Sequence, residues 1–77
     1  MGSSRVILTR SDTCRNMARF YSIDLQPDLF GGVVLIRNWG RIGTAGQERR
    51  DWFASMPDAI AAQDRWRRIK TGRGYRP

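Results

Sequence analysis

The sequence predicts an α+β domain: a small antiparallel sheet of about four to five strands with one C-terminal helix packed on it. Three observations predict it. Short apolar and β-branched runs follow one another through most of the chain, turn-forming residues punctuate them, and the hydrophobic period changes at Ser55. Consecutive strands joined by short turns pair antiparallel, and a single amphipathic helix after them must bury its apolar stripe on that sheet.

Arg5–Arg10 (RVILTR) is the first strand, and Ser11-Asp12-Thr13 a turn. Asn16–Leu25 (NMARFYSIDL) has the aromatic and β-branched character of a second strand. Gln26-Pro27-Asp28 opens a turn that Gly31-Gly32 closes, and Val33–Arg41 is the third strand. Gly43-Thr44-Ala45-Gly46 reads as a hairpin loop before a fourth strand, Gln47–Ala54. Ser55-Met56-Pro57-Asp58 then has the marks of a helix start: a Ser cap, an early Pro and an acid three residues after the cap. Ala59, Ala62, Trp66 and Ile69 form one helical face, widened by Ile60, and Asp64 and Arg68 pair one turn apart on the other side. Lys70 suits the negative end of the helix dipole, and Gly72 suits its stop.

A chain of 77 residues is one small domain, read over 1–77 with a basic C-terminal tail at 71–77. Such a domain buries only about 60–65% of the surface its unfolded chain exposes, so a large aromatic left outside needs a reason. No histidine is present, and the lone Cys14 has neither a disulfide partner nor a base to activate it. The seven acids are dispersed, with no spacing that suggests a metal pair or an acid/base pair, and arginines make poor general bases. The expectation is a non-enzymatic protein with no cofactor and no bound metal. No apolar run has the length of a membrane span, and the N-terminus has neither a secretory apolar core nor a myristoylation signal. A soluble, cytoplasmic monomer with no membrane contact is expected.

The formal charge of +7 is uneven. Residues 1–64 carry eight arginines against seven acids, whereas residues 65–77 carry Arg65, Arg67, Arg68, Lys70, Arg73 and Arg76 with no acid. A basic end of this kind favours polyanions, nucleic acid first among them; the alternative is a solvated helix end with a disordered tail.

The stretch RNWGRIGTAGQ, residues 37–47, follows the most hydrophobic segment, Val33–Ile36. Strand alternation puts Arg37, Trp39 and Arg41 on one face. Arginine is rarely buried without a partner, so its neighbours carry Trp39 to the surface, where an indole packs on sugar or base while guanidinium groups hold phosphates. Gly40 lets the backbone approach a ligand closely. The competing reading is a bulge before Gly40 that turns Trp39 into the core. Trp52 and Trp66 are the expected core tryptophans. Gly40, Gly43 and Gly46 space themselves like a phosphate cradle, but such loops lead into a helix and this one leads into a strand, which favours a hairpin.

Four segments in order resemble the WGR domain family: Asn16-Met17-Ala18-Arg19-Phe20-Tyr21; Leu25 to Gly32 (LQPDLFGG); Arg37-Asn38-Trp39-Gly40-Arg41-Ile42-Gly43; and Lys70-Thr71-Gly72-Arg73-Gly74-Tyr75. The resemblance covers about residues 15–75 and looks closest to the small stand-alone bacterial members. It implies a compact antiparallel sheet with one helix. It also implies nucleic-acid binding, since WGR domains of the DNA-damage-responsive poly(ADP-ribose) polymerases bind DNA near strand breaks. Carried over residue by residue, the triplet Trp that packs on sugar at a DNA end would be Trp39, and the triplet Arg that contacts DNA or a neighbouring domain would be Arg41. Asn16 and Lys70 would lie near the DNA backbone. The chain has no transferase domain or zinc finger, so no ADP-ribosylation follows, and without a second domain the linking role of Arg41 is in doubt. Gln63 and Asp64 stand where the polymerase type is more apolar.

The expected function is therefore a nucleic-acid-binding module, with DNA favoured over RNA and duplex ends or breaks as the target. Trp39, Gly40, Arg41, Arg37, Asn16, Lys70 and Arg73 are the candidate binding residues. The alternative is a protein-interaction module that docks on an acidic partner through Trp39.

Overall fold

A computed structural model describes residues 4–77, with Ser4 placed by its backbone. Four strands form one antiparallel sheet in the order of the chain: β1 (Ser4–Asp12), β2 (Met17–Pro27), β3 (Val33–Arg41) and β4 (Gln47–Phe53). One helix, α1 (Met56–Gly72), crosses a single face of it. The α+β class read from the sequence is the class observed.

β1 and β2 run further than their apolar residues suggested. Ser11 and Asp12 stay in the ladder, Asp12 pairing with Met17, and the turn is a short 3₁₀ element at Thr13–Arg15. Asp12 closes it by accepting a hydrogen bond from the Cys14 amide at 3.1 Å. Asn16, expected to begin the second strand, instead ends this turn with a left-handed φ of 51°, a conformation asparagine tolerates.

The strand alternation sorts the side chains cleanly. Val6 and Leu8, Tyr21, Ile23 and Leu25, Val33 and Leu35, and Phe53 face the helix and make the core with Ala59, Ala62, Trp66 and Tyr75. Ser55 caps α1, its hydroxyl accepting from the Asp58 amide at 3.4 Å, and the Asp64–Arg68 pair forms at 2.9 Å. The buried stripe of α1 differs from the one expected. It runs through Ala59, Ala62 and Gln63 to the half-buried Trp66 and Lys70, while Ile60 is 50% exposed and Ile69 is exposed at its margin. Alanines let the helix sit close to the sheet. Gln63 is tolerated there because its amide donates to the Ile23 carbonyl at 3.3 Å.

Trp52 is the clear departure. It was expected in the core, yet it is 59% exposed on the uncovered face of the sheet. The register explains this. Phe53 pairs with Val33 on the helix side, so Trp52 must point the other way, opposite Val34. There its indole N–H donates to the Asp28 carboxylate at 2.6 Å, which anchors the ring outside the core.

The hairpin between β3 and β4 explains the glycines of residues 40–46. A side chain on Gly40 would meet Gly46 Cα at 2.7 Å, and one on Gly46 would overlap the Trp39 carbonyl and the Phe20 ring. Gly46 also adopts φ +71°. The spacing serves a close backbone crossing, as the hairpin reading held. Gly46→Ala is expected to cost about 2 kcal/mol or more, the sum of left-handed strain and the clash with Trp39. Urea denaturation checks this, and an unchanged midpoint would contradict it.

Candidate functional site

Successive cross-strand rows on the helix side change character along the sheet. Leu25 and Leu35 form an apolar row with Asp51 at its β4 end. The next row sets Val6 and Ile23 beside Arg37 and Arg49, and the one after it Leu8 and Tyr21 beside Trp39 and Gln47. Beyond these lies a row of three arginines: Arg10 on β1 pairs with Arg19 on β2, which pairs with Arg41 on β3.

Arg37, Trp39 and Arg41 do share one face, as alternation requires, but it is the face the helix covers. Arg37 was expected at the surface and is only 9% exposed. Its burial is possible because aromatic rings and polar groups meet most of the guanidinium. The Trp66 ring lies 4.1 Å from its central carbon and the Trp39 ring 5.8 Å. Its Nη1 donates to the Tyr21 hydroxyl at 3.5 Å, and its Nη2 lies 3.6 Å from the Asp51 carboxylate. Its Nε is buried with no hydrogen-bond partner among the described residues. Cation–π contact of this desolvated kind is worth about 2 kcal/mol. Trp39 is neither sealed in nor free. It stacks on Tyr21, with ring centroids 6.1 Å apart and an interplanar angle of 23°, and stays half-buried.

The outer edge of Trp39 lines a hollow of about 430 Å³ with Arg19, Gly40, Arg41, Gln47 and Tyr75. The C-terminal residues build its far wall. Arg76 exchanges two backbone hydrogen bonds of 2.7 Å with Thr9, extending the sheet beside β1, and this pins Tyr75 into a buried place edge-on to Tyr21. Of residues 71–77, expected as a basic tail, Thr71 and Gly72 are still in the helix, and Tyr75 and Arg76 are held against the sheet. Lys70 reaches between the aromatics, 4.6 Å from the Tyr21 ring and 5.6 Å from that of Tyr75. Arg10 lies against the backbone of Gly74.

Among the described residues, Arg10, Arg19, Arg41, Arg65, Lys70, Arg73 and Arg76 have no acidic group within ion-pair distance, whereas Arg5, Arg15, Arg37, Arg49, Arg50, Arg67 and Arg68 do. Apart from Arg65, the unpaired cations gather at the end of the sheet where Trp39 sits.

Of the residues singled out from the sequence, Trp39, Gly40 and Arg41 meet at the hollow, with Lys70 beside its Tyr75 wall and Arg73 close enough to raise the local potential. Arg37 lies beneath and supports the indole. Asn16 stands exposed at the tip of the β1–β2 hairpin, beyond the arginine row. Sequence reasoning passed over Arg10, Arg19 and Gln47. The signal lies in the pairing: once the hairpins are closed, Arg19 stands opposite Arg41, Gln47 opposite Trp39, and Arg10 opposite Arg19. No helix among the described residues is long and apolar enough to cross a membrane.

Lys70 is the one lysine of the chain. Burial pushes its ammonium below the ordinary lysine range, and Arg73 and Arg37 push it the same way. The folded protein therefore releases this proton at lower pH than the unfolded chain. Between the depressed folded value and the ordinary one, the unfolded state binds more protons, so stability rises with pH across that window. The Lys70 ¹³Cε resonance should titrate below an exposed lysine, and the stability of the wild type relative to Lys70→Met should increase as pH rises through the window. An ordinary midpoint with a flat difference would contradict the burial.

Comparison with known proteins agrees with this architecture. The model of the WGR domain matches residues 4–77. The uncharacterized protein y4dW of Sinorhizobium fredii (strain NBRC 101917 / NGR234) is 45% identical over 73 residues, which covers 95% of this chain and 36% of that protein. The chain thus spans about a third of the length of that relative. No solved structure gives a significant match. A family match over every described residue places the chain in the WGR domain family.

Proposed function

We propose that the arginine row and the exposed edge of Trp39 form a nucleic-acid-binding surface, used on duplex DNA near ends or breaks. One observation carries this reading: Arg10, Arg19 and Arg41 stand directly opposite one another on three neighbouring strands without an acidic partner among the described residues. Like charges in register destabilise a sheet, so such a row is a cost to the fold. A polyanion reverses that cost.

The rest of the end suits the same ligand. The triplet indole is held by Arg37 and Tyr21 with its outer edge free, the geometry wanted for packing on a terminal sugar or an unstacked base. Gly40 leaves the backbone open beside it. Lys70 and Arg73 add positive charge on the helix side, and Asn16 extends the surface along the hairpin tip. Family membership supports the class of ligand, because the WGR domains of the poly(ADP-ribose) polymerases bind nucleic acid.

Fluorescence anisotropy with a blunt duplex, a nicked duplex and a single strand tests the proposal. If about four phosphates are engaged, raising salt from about 50 to about 200 mM weakens binding on the order of 100-fold. Arg19→Gln should flatten that salt slope by about one and weaken binding to every sequence alike. The same change should leave the melting temperature unchanged or raise it, since it relieves repulsion worth roughly 0.2–1 kcal/mol per pair. Binding indifferent to salt and to Arg19→Gln would rule the surface out.

A further inference from the structure

The face of the sheet that α1 leaves uncovered holds a buried carboxylate. Ile23 and Leu25 point to the helix, so Asp24 between them points the other way. Asp24 is nevertheless only 6% exposed. On that face its sheet neighbours bury it: Arg5 opposite on β1, Ile36 opposite on β3, and Ser22 and Gln26 two residues away on β2. Their contacts do not satisfy it. The Gln26 amide donates to Oδ2 at 3.1 Å, and Arg5 Nη2 lies 3.8 Å from the same oxygen, too far for a hydrogen bond. Oδ1 is buried with no hydrogen-bond partner among the described residues. Buried polar groups are almost always hydrogen-bonded, and a carboxylate oxygen left without a donor destabilises the fold.

Asp24 lines a hollow of about 580 Å³ on this face. Ile7, 53% exposed, and the half-buried Phe20 and Ile36 give the hollow apolar walls. The other charged groups around it are Arg5, Glu48 and Arg50. Arg50 Nε donates to the Glu48 carboxylate at 2.7 Å, so that pair cancels. Asp24 is left with Arg5, whose side chain is 59% exposed and makes no hydrogen bond to it.

We propose that this hollow takes a basic side chain, arginine or lysine, of a protein partner, and that Arg5 is the placeholder it displaces. Charge complementarity selects the occupant. The carboxylate calls for a cationic donor, and the apolar walls suit the alkyl stem that carries one. A protein segment fits better than a free amine because the adjoining row continues the face through Val34 and the exposed Trp52, which a flanking apolar residue can cover. Nucleic acid fits worse, because Asp24 and Glu48 repel phosphate. The arginine row does not interfere. Arg19 lies on the opposite face, five strand residues from Asp24, roughly 16 Å at about 3.3 Å per residue and twice the Debye length of about 8 Å. The site is separate from the proposed nucleic-acid surface and does not rest on it.

A ¹⁵N chemical-shift titration of the full chain with Ac-Leu-Arg-Leu-amide, carried to about 10 mM, covers the millimolar range in which a single such contact binds. Saturable shifts should appear at Ile7, Ser22, Asp24 and Ile36, and Ac-Leu-Gln-Leu-amide should bind at least about tenfold more weakly, having lost a charge-assisted hydrogen bond. Asp24→Asn should weaken the arginine peptide by a similar factor. Arg5→Gln should tighten it several-fold, because the competing arm is gone. Arg5 is exposed, so this variant folds whether or not Asp24→Asn does. Were Arg5 and Asp24 a structural pair alone, Arg5→Gln would lower the melting temperature and gain no binding. No saturable shift, equal binding of the two peptides, an affinity that Arg5→Gln leaves unchanged or lowers, or ethylguanidinium binding as tightly as the peptide would each overturn the proposal.

Discussion

The buried guanidinium of Arg37 is the constraint on which the rest of the molecule depends. It lies between the sheet and the helix, where an apolar side chain would ordinarily sit, and Trp66, Trp39, Tyr21 and Asp51 hold it there. A charge taken out of water is tolerated only where aromatic faces and hydrogen bonds replace the solvent. That requirement recruits three aromatic rings from α1, β3 and β2 to one point. It thereby fixes how far the helix stands from the sheet and how the triplet indole is turned. Trp39 owes its half-buried posture to this arrangement: it packs against Tyr21 and Arg37, and its outer edge lines the hollow.

From that centre the molecule divides into two ends of opposite character. Toward the helix C-terminus, charge accumulates without compensation. The arginine row, Lys70 and the C-terminal strand crowd cations around aromatic rings, and burial and repulsion already depress Lys70. Toward the helix N-terminus, Asp28 clasps a turn that displays the apolar side chains of Leu29 and Phe30. Stability favours neither arrangement on its own. The first makes sense as the surface proposed for a polyanion.

Much of this was legible in the sequence, and the parts that were not share a cause. Strand positions, the Ser55 cap, the Asp64–Arg68 pair and the common face of Arg37, Trp39 and Arg41 all follow from local periodicity, which a single chain displays. What periodicity does not say is which face the helix covers. Arginines flanking a tryptophan suggested a solvent face, and the structure buries Arg37 because partners from β2, β4 and α1, remote in sequence, converge on it. Trp52 went the other way for the same reason: its neighbour Phe53 took the inward position, and Asp28, twenty-four residues away, offered an acceptor outside. The arginine row was hidden because Arg10, Arg19 and Arg41 are ordinary surface residues until two hairpin registers align them.

The proposed nucleic-acid surface lies at the end of the domain where the Trp39 edge meets the aligned arginines. Mapping amide and indole chemical shifts during titration with a blunt duplex tests it most directly. Shifts should be confined to Arg10, Arg19, Trp39 Nε1, Arg41, Lys70 and the Arg73–Arg76 segment, with the β2–β3 turn and the uncovered sheet face silent. Shifts centred on that turn or on the uncovered face, with the Trp39 indole unmoved, would contradict it.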